Sequence, residues 1–131
     1  MKKLTDLERR VLEMLLNGGH PLLTLLRRQV EHASVKSRQL TGVGFFTDFK
    51  IPEKLRITGS PSFQLTDVIG SAKNVKEGVG FVLFVTDGLL SMLEGYTYNE
   101  PWPTELQSLE LMYLKSTTRD FSNLPAIPYP N

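Results

Sequence analysis

Glu94 stands in VGFVLFVTDGLLSMLEGYTYNEPWP, residues 79–103, where the surrounding pattern calls for an apolar side chain. An unpaired carboxylate is too costly to bury, so this glutamate must be ion-paired, hydrogen-bonded, protonated or open to water. Three roles follow: a member of a structural network with Gln29, Arg27, Arg38 or Arg56 as partner, an edge residue reaching solvent, or a ligand-binding or acid/base carboxylate. Asp48, beside Thr47, is the second acid that could meet Glu94 across a sheet. Two carboxyl groups ~5–9 Å apart would form a glycosidase-like pair, and the competing reading of Asp48 is a surface residue at a strand end. Tyr96, Tyr98 and Trp102 follow within eight residues. Tyr and Trp join a large apolar body to a polar tip, which suits them to interfaces and ring stacking. The competing reading is that Trp102 plugs the core.

Other chemistries find little support. His20 and His32 fall at the two ends of one helical pattern, ~18 Å apart at helical rise, so they cannot share a metal within that helix. The chain has no cysteine, which excludes thiolate metal sites, thiol nucleophiles and disulfide scaffolds. No G-x-S-x-G elbow, phosphate-binding loop, dinucleotide fingerprint or H-E-x-x-H pattern occurs. No cofactor and no metal are expected.

The 131 residues fit a single domain spanning 1–131, with 40% hydrophobic and 22% charged residues. Lys plus Arg number 15 against 14 Asp plus Glu, a balance that gives no electrostatic case for nucleic acid or an anionic membrane. Met1-Lys2-Lys3 resembles the start of a signal peptide, but Asp6, Glu8, Arg9 and Arg10 interrupt the segment that would have to be uncharged. No apolar run reaches the ~20 residues of a spanning helix. A cytoplasmic location is expected.

Residues 5–17 have helical periodicity, with Leu4, Leu7, Val11, Met14 and Leu15 on one stripe and Thr5 and Glu8 spaced as a capping box. Gly18-Gly19 ends that helix. His20 as N-cap and Pro21 at the first position begin a second one, which runs to about Ala33. Its apolar arc holds Leu22, Leu26, Val30 and Ala33, and Gln29 falls inside that arc as a buried polar group. Arg27, Arg28 and Glu31 lie opposite. A helix so committed to a core is a poor recognition helix for DNA.

Period-two patterning then takes over from Val35. Strands are expected over 40–51, over 62–70, on both arms of a hairpin turning at Asp87-Gly88, and over 108–115, with a helix over 104–114 as the alternative to the last. A two-residue turn sets Val85 opposite Leu90, Leu83 opposite Met92, Phe81 opposite Glu94 and Val79 opposite Tyr96. Both hairpin faces are then apolar, and both should be covered. The glycines Gly42, Gly44, Gly80 and Gly95 suggest bulges, coiling, or close approach of an aromatic ring or ligand. The last residues, 120–131, are rich in proline and should run extended against the domain or a neighbouring molecule. The expected class is α+β: an αα-hairpin over about 5–33, packed on a curved, mostly antiparallel sheet of about five strands over about 38–115.

TGVGFFTDF at 41–49, GFVLFVTDG at 80–88, LEGYTYNEPWP at 93–103 and PLLTLLRRQ at 21–29 together resemble a family of small uncharacterised bacterial proteins with Thr-Gly-x-Gly-Phe-Phe-Thr and Leu-Glu-Gly-Tyr-Thr-Tyr segments. The resemblance implies one intact domain and carries over no activity, cofactor or catalytic residue.

The leading expectation is a non-enzymatic binding or protein-interaction domain, of accessory or immunity type, that contacts a protein partner or small ligand through Glu94, Tyr96, Tyr98, Trp102 and Gln29. A homodimer is compatible with it. The alternative is a small acid/base hydrolase with Glu94 as general base and Asp48 or His32 as the second group.

Overall fold

The computed structural model describes residues 2–115 and 119–125. Helices α1 (Asp6–Leu15) and α2 (Pro21–Glu31) lead into six strands: β1 (Ser34–Leu40), β2 (Gly44–Lys50), β3 (Phe63–Ala72), β4 (Val75–Thr86), β5 (Leu89–Thr97) and β6 (Glu110–Tyr113). A 3-10 turn, Glu53–Leu55, lies between β2 and β3. The strands form one antiparallel sheet in the order β1-β2-β5-β4-β3-β6. This is the α+β class expected, with six strands in place of five. The additional strand is β1. It carries one buried residue, Val35, in an otherwise exposed run, so an outermost strand lacks the alternation that marks a half-buried one.

Both helix starts form as their sequences dictate. The Glu8 amide donates to Thr5 Oγ1 at 3.1 Å and the Thr5 amide donates to Glu8 Oε1 at 2.8 Å, closing the capping box. The Leu22 amide donates to His20 Nδ1 at 3.1 Å. At the far end of α1, where helix geometry leaves carbonyls without partners, three side chains supply donors. Arg119 donates to the carbonyls of Met14, Leu15 and Asn17, Arg27 to those of Leu16 and Gly18, and the Tyr113 hydroxyl to Met14 at 2.7 Å. Arg119 is held in turn by both oxygens of Asp67 at 2.8 Å. Phe121 and Leu124 pack on the core beside it. Of the proline-rich tail, residues 126–131 lie outside the described residues.

Val11, Leu12 and Leu15 of α1 and Leu22, Leu23 and Leu26 of α2 are fully buried, together with Phe81, Leu83 and Leu93 of the sheet. Each such side chain contributes ~1.5–3 kcal/mol on leaving water. Val30 and Ala33 are half-buried, while Arg28 and Glu31 face solvent. Both helices therefore lie on one face of the sheet.

The hairpin corrects the expected register. Asp87 and Gly88 both have positive φ, at 51° and 79°, as a type I′ turn requires, and Val85 opposes Leu90. Beyond that pair β5 carries one extra residue, Ser91, so that Phe84 opposes Met92, Leu83 opposes Leu93, Val82 opposes Glu94, Phe81 opposes Gly95 and Gly80 opposes Tyr96. A β-bulge of one residue turns every later side chain to the other face. Glu94 is thereby removed from the face of Phe81 and Leu83 that the helices cover.

Candidate functional site

The face turned away from the helices carries Phe46, Ile69, Val82, Phe84, Met92 and Tyr96, all half-buried. None of them belongs to the core cluster or packs against it. The expectation that both hairpin faces are covered is thus corrected: among the described residues, the second apolar face has no layer over it. Two helices of 10 and 11 residues are ~15 Å long, enough to roof one side of a six-stranded sheet and no more.

Glu94 sits in the middle of this face. Phe46 on β2 and Val82 on β4 are its directly opposed cross-strand neighbours, and Met92 and Tyr96 flank it on its own strand with their side chains on the same face. Four apolar or aromatic side chains thus surround one carboxylate. Burial among them pushes the Glu94 pKa above the ordinary carboxyl value. Tyr96 is pushed up to about 12, first by burial and then by its neighbour Tyr98 and the Glu94 charge. The Tyr96 and Tyr98 rings meet edge to face at 5.5 Å.

The expected partners of Glu94 are engaged elsewhere. Arg38 points to the helix side, where its Nε and Nη2 donate to the buried Glu8 at 2.9 and 2.8 Å, and Glu8 also accepts from the fully buried Thr47 at 2.7 Å. Burial raises the Glu8 pKa, but the hydrogen bonds from Arg38, Thr47 and the Thr5 amide outweigh it, and the net displacement is downward. Arg56 pairs with Glu53 at 2.7 Å and donates to the Asp87 carbonyl. Arg27 caps α1.

Gln29 is fully buried as expected, but it holds the hairpin and not Glu94. Its Nε2 donates to the carbonyls of Leu55 at 3.0 Å and Gly88 at 2.9 Å, and its Oε1 accepts the Leu90 amide at 2.8 Å. Here a side-chain amide replaces backbone pairing at the start of β5. The same turn is pinned by the Ile57 amide on the Gly88 carbonyl at 3.0 Å and by the Gly88 amide on the Pro61 carbonyl at 2.8 Å.

Trp102 takes the other side as well. Its ring meets Phe45 edge to face at 5.2 Å, and Phe45 lies over Gly95 on the helix-covered face, where a Cβ at residue 95 would come within 2.8 Å of Phe45 Cζ. Tyr96 covers Gly80 in the same way on the open face. Of the glycines singled out from the sequence, these two are sites of close aromatic approach.

Asp48 opposes Met92 and shares the open face with Glu94 as its diagonal neighbour, a relationship that sets side chains ~7–8 Å apart or less. It accepts from the Ser37 hydroxyl at 2.8 Å. The pairing of β2 with β5 stops at Asp48 and Met92. A cleft of about 430 Å³ opens there, lined by Lys36, Ser37, Asp48, Thr86, Leu89 and Ser91 among others. Lys36 is itself the extra residue of a bulge in β1, so an irregularity borders the cleft on each side. His32, at the end of α2, lies in the other layer. No group of three or more potential metal ligands occurs among the described residues, and no described helix is long and apolar enough to cross a membrane.

Sequence reasoning missed Phe46, Val82, Phe84 and Met92 as surface residues. The signal that would have found them is numerical: two short helices cannot roof both apolar faces of the strands that follow. Searches against protein-family models, curated proteins and solved structures match nothing.

Proposed function

We propose that this protein is a binding domain that docks a protein partner on the open sheet face centred on Glu94, with Phe46, Val82, Phe84, Met92 and Tyr96 as the contact surface. The observation that carries the reading is the second apolar face itself. A contiguous apolar surface outside the core marks an interaction site, and the carboxylate at its centre, where interfaces are ordinarily depleted of charge, calls for a partner group that matches it. Tyr98, 44% exposed, and Met112, 38% exposed, extend it. Gln29 and Trp102 drop out of the contact surface because they serve the opposite layer.

The alternative, an acid/base hydrolase, draws on the diagonal placement of Asp48 and Glu94. It is the weaker reading. Acid/base pairs work in sites that exclude water, whereas the 430 Å³ cleft is lined by Asp48 but not by Glu94.

The test is comparative cross-linking in cell extract with three chains: wild type, the open-face variant Phe84→Ser/Met92→Ser, and the helix-side surface variant Arg28→Ser. Binding through the open face predicts adducts common to wild type and Arg28→Ser that are lost in the double variant while its far-ultraviolet spectrum is unchanged. Identical adducts from all three chains would overturn the reading.

A further inference from the structure

We propose that Glu94 and the ring of Phe46, Val82, Met92 and Tyr96 around it form a receptor for the guanidinium group of an arginine side chain on the partner protein. The inference deepens the docking-face reading and rests on it.

The first argument is charge. Glu94 and its diagonal neighbour Asp48 are the two carboxylates at the middle of this face, and the basic side chain nearest to them in the fold, Lys36, lines the cleft on the Asp48 side, a cleft that Glu94 does not line. Lys50 shares the face but stands at the end of β2, four residues beyond Phe46, ~13 Å along the strand. Glu110 lies out on β6. None of the ion pairs among the described residues involves Glu94, and the arginines nearest in the sequence expectation are held by Glu8, Glu53 and the α1 carbonyls. A carboxylate half-withdrawn from water and lacking a cation gains most from a partner that brings one.

The second argument is shape and chemistry. A guanidinium is planar, weakly hydrated and able to stack on an aromatic face while its edge pairs with a carboxylate. Phe46 and Tyr96 supply rings beside Glu94, and Val82 and Met92 supply surface for the methylene stem. An ammonium is a compact, strongly hydrated charge that forfeits more on entering such a ring.

The third argument concerns the source of the cation. The apolar surface continues past Glu94 through Phe84 on β4 and Ile69 on β3, farther than one small cation reaches. Two clefts bordered by described residues, of about 310 and 430 Å³, are not lined by Glu94 or by the residues around it. A small ligand prefers an enclosed pocket, whereas a chain segment bearing one arginine between apolar residues matches an open face. A second copy of this chain fits poorly. An isologous contact centred on this face would set Glu94 against its own twofold mate, a like-charge meeting in low dielectric.

The probe is a blocked Leu-Arg-Phe tripeptide, compared with the same peptide carrying citrulline, which is isosteric and neutral, and with the lysine peptide. Each is titrated into the full ¹⁵N-labelled chain. Expected are amide shifts centred on residues 45–47, 81–83 and 92–96, an affinity for the arginine peptide about tenfold above that for citrulline, and an intermediate value for lysine. Raising the salt concentration should narrow the gap, and Glu94→Gln should bring arginine and citrulline within about twofold. Gln is close to isosteric, and its folding is checked by its own amide spectrum. Equal binding of the arginine and citrulline peptides at those strands overturns the receptor and leaves the docking face standing. Absence of shifts at those strands overturns the receptor directly. A wild-type chain that sediments as a dimer, and as a monomer after Phe84→Ser, also overturns it by seating a second copy on the face.

Discussion

Arg38 and Glu8 are joined through two hydrogen bonds, at 2.9 and 2.8 Å, on the helix-covered side of the sheet, so an arginine expected beside Glu94 is committed to a different carboxylate on the opposite face. Glu8 thereby does two jobs: it closes the α1 capping box and anchors that helix to β1 and β2. Removing one member of a buried pair strands the other charge.

Arg38→Met is expected to cost ~2–3 kcal/mol at neutral pH. The value falls below the 3–5 typical of full burial because Thr47 and the Thr5 amide still serve Glu8. The loss has a pH signature. The Glu8 pKa is lowered in the folded protein, so its contribution is present above the unfolded value and is lost as pH falls through the folded one. Urea denaturation of both chains at pH 7 and near pH 3 should show the difference shrinking in acid.

Gln29→Leu keeps the volume and removes every polar contact the side chain makes. The Leu90 amide and the Leu55 carbonyl lose their partner, while the Gly88 carbonyl retains the Ile57 amide. At ~1–3 kcal/mol for each buried group left unsatisfied, the expected destabilisation is ~2–4 kcal/mol. Faster amide exchange at Leu90 should accompany it. A variant as stable as wild type would remove Gln29 from the hairpin's support.

Glu94→Gln is expected to stabilise the protein at neutral pH. An acid whose folded pKa is raised binds its proton more tightly when folded, so stability falls as pH rises from the unfolded value through the folded one. Glutamine removes that penalty. The gain should be ~0.5 kcal/mol at pH 7, on the scale of substitutions at partly exposed positions, and should vanish near pH 4. Thermal melts at the two pH values measure it, and a lower melting temperature for the variant at pH 7 would return Glu94 to a structural network.

Gly95→Ala and Gly80→Ala probe the two aromatic rings laid over glycines. A Cβ at residue 95 runs into Phe45, held between the sheet and Trp102, and overpacking of that kind costs ~1–3 kcal/mol. At residue 80 the obstacle is Tyr96 on the uncovered face, whose ring can swing outward. The expected cost there is smaller, below ~1 kcal/mol, with weaker binding of the arginine peptide because one wall of the ring around Glu94 has moved.

What the sequence determined by itself lies mostly within a few residues of each decision. The Thr5–Glu8 capping box, the His20-Pro21 helix start and the positive φ of Gly88 are local geometry, carried by residue types that can adopt it or donate to it. The burial of Gln29 was legible for a related reason, since helical periodicity assigns each position to an arc without reference to the rest of the chain. The tertiary structure decided the rest. Ser91 can enter β5 as an extra residue because Gln29, 61 positions away, takes the Leu90 amide at the start of that strand, and no local pattern announces such an exchange. That single residue moves Glu94 from the covered face to the open one. β1 exists as a strand because β2 pairs with it, not because its own residues alternate. Whether an apolar face is core or contact surface depends on how much helix is present to cover it, and that is a property of the assembled layers, not of the strand that bears the face.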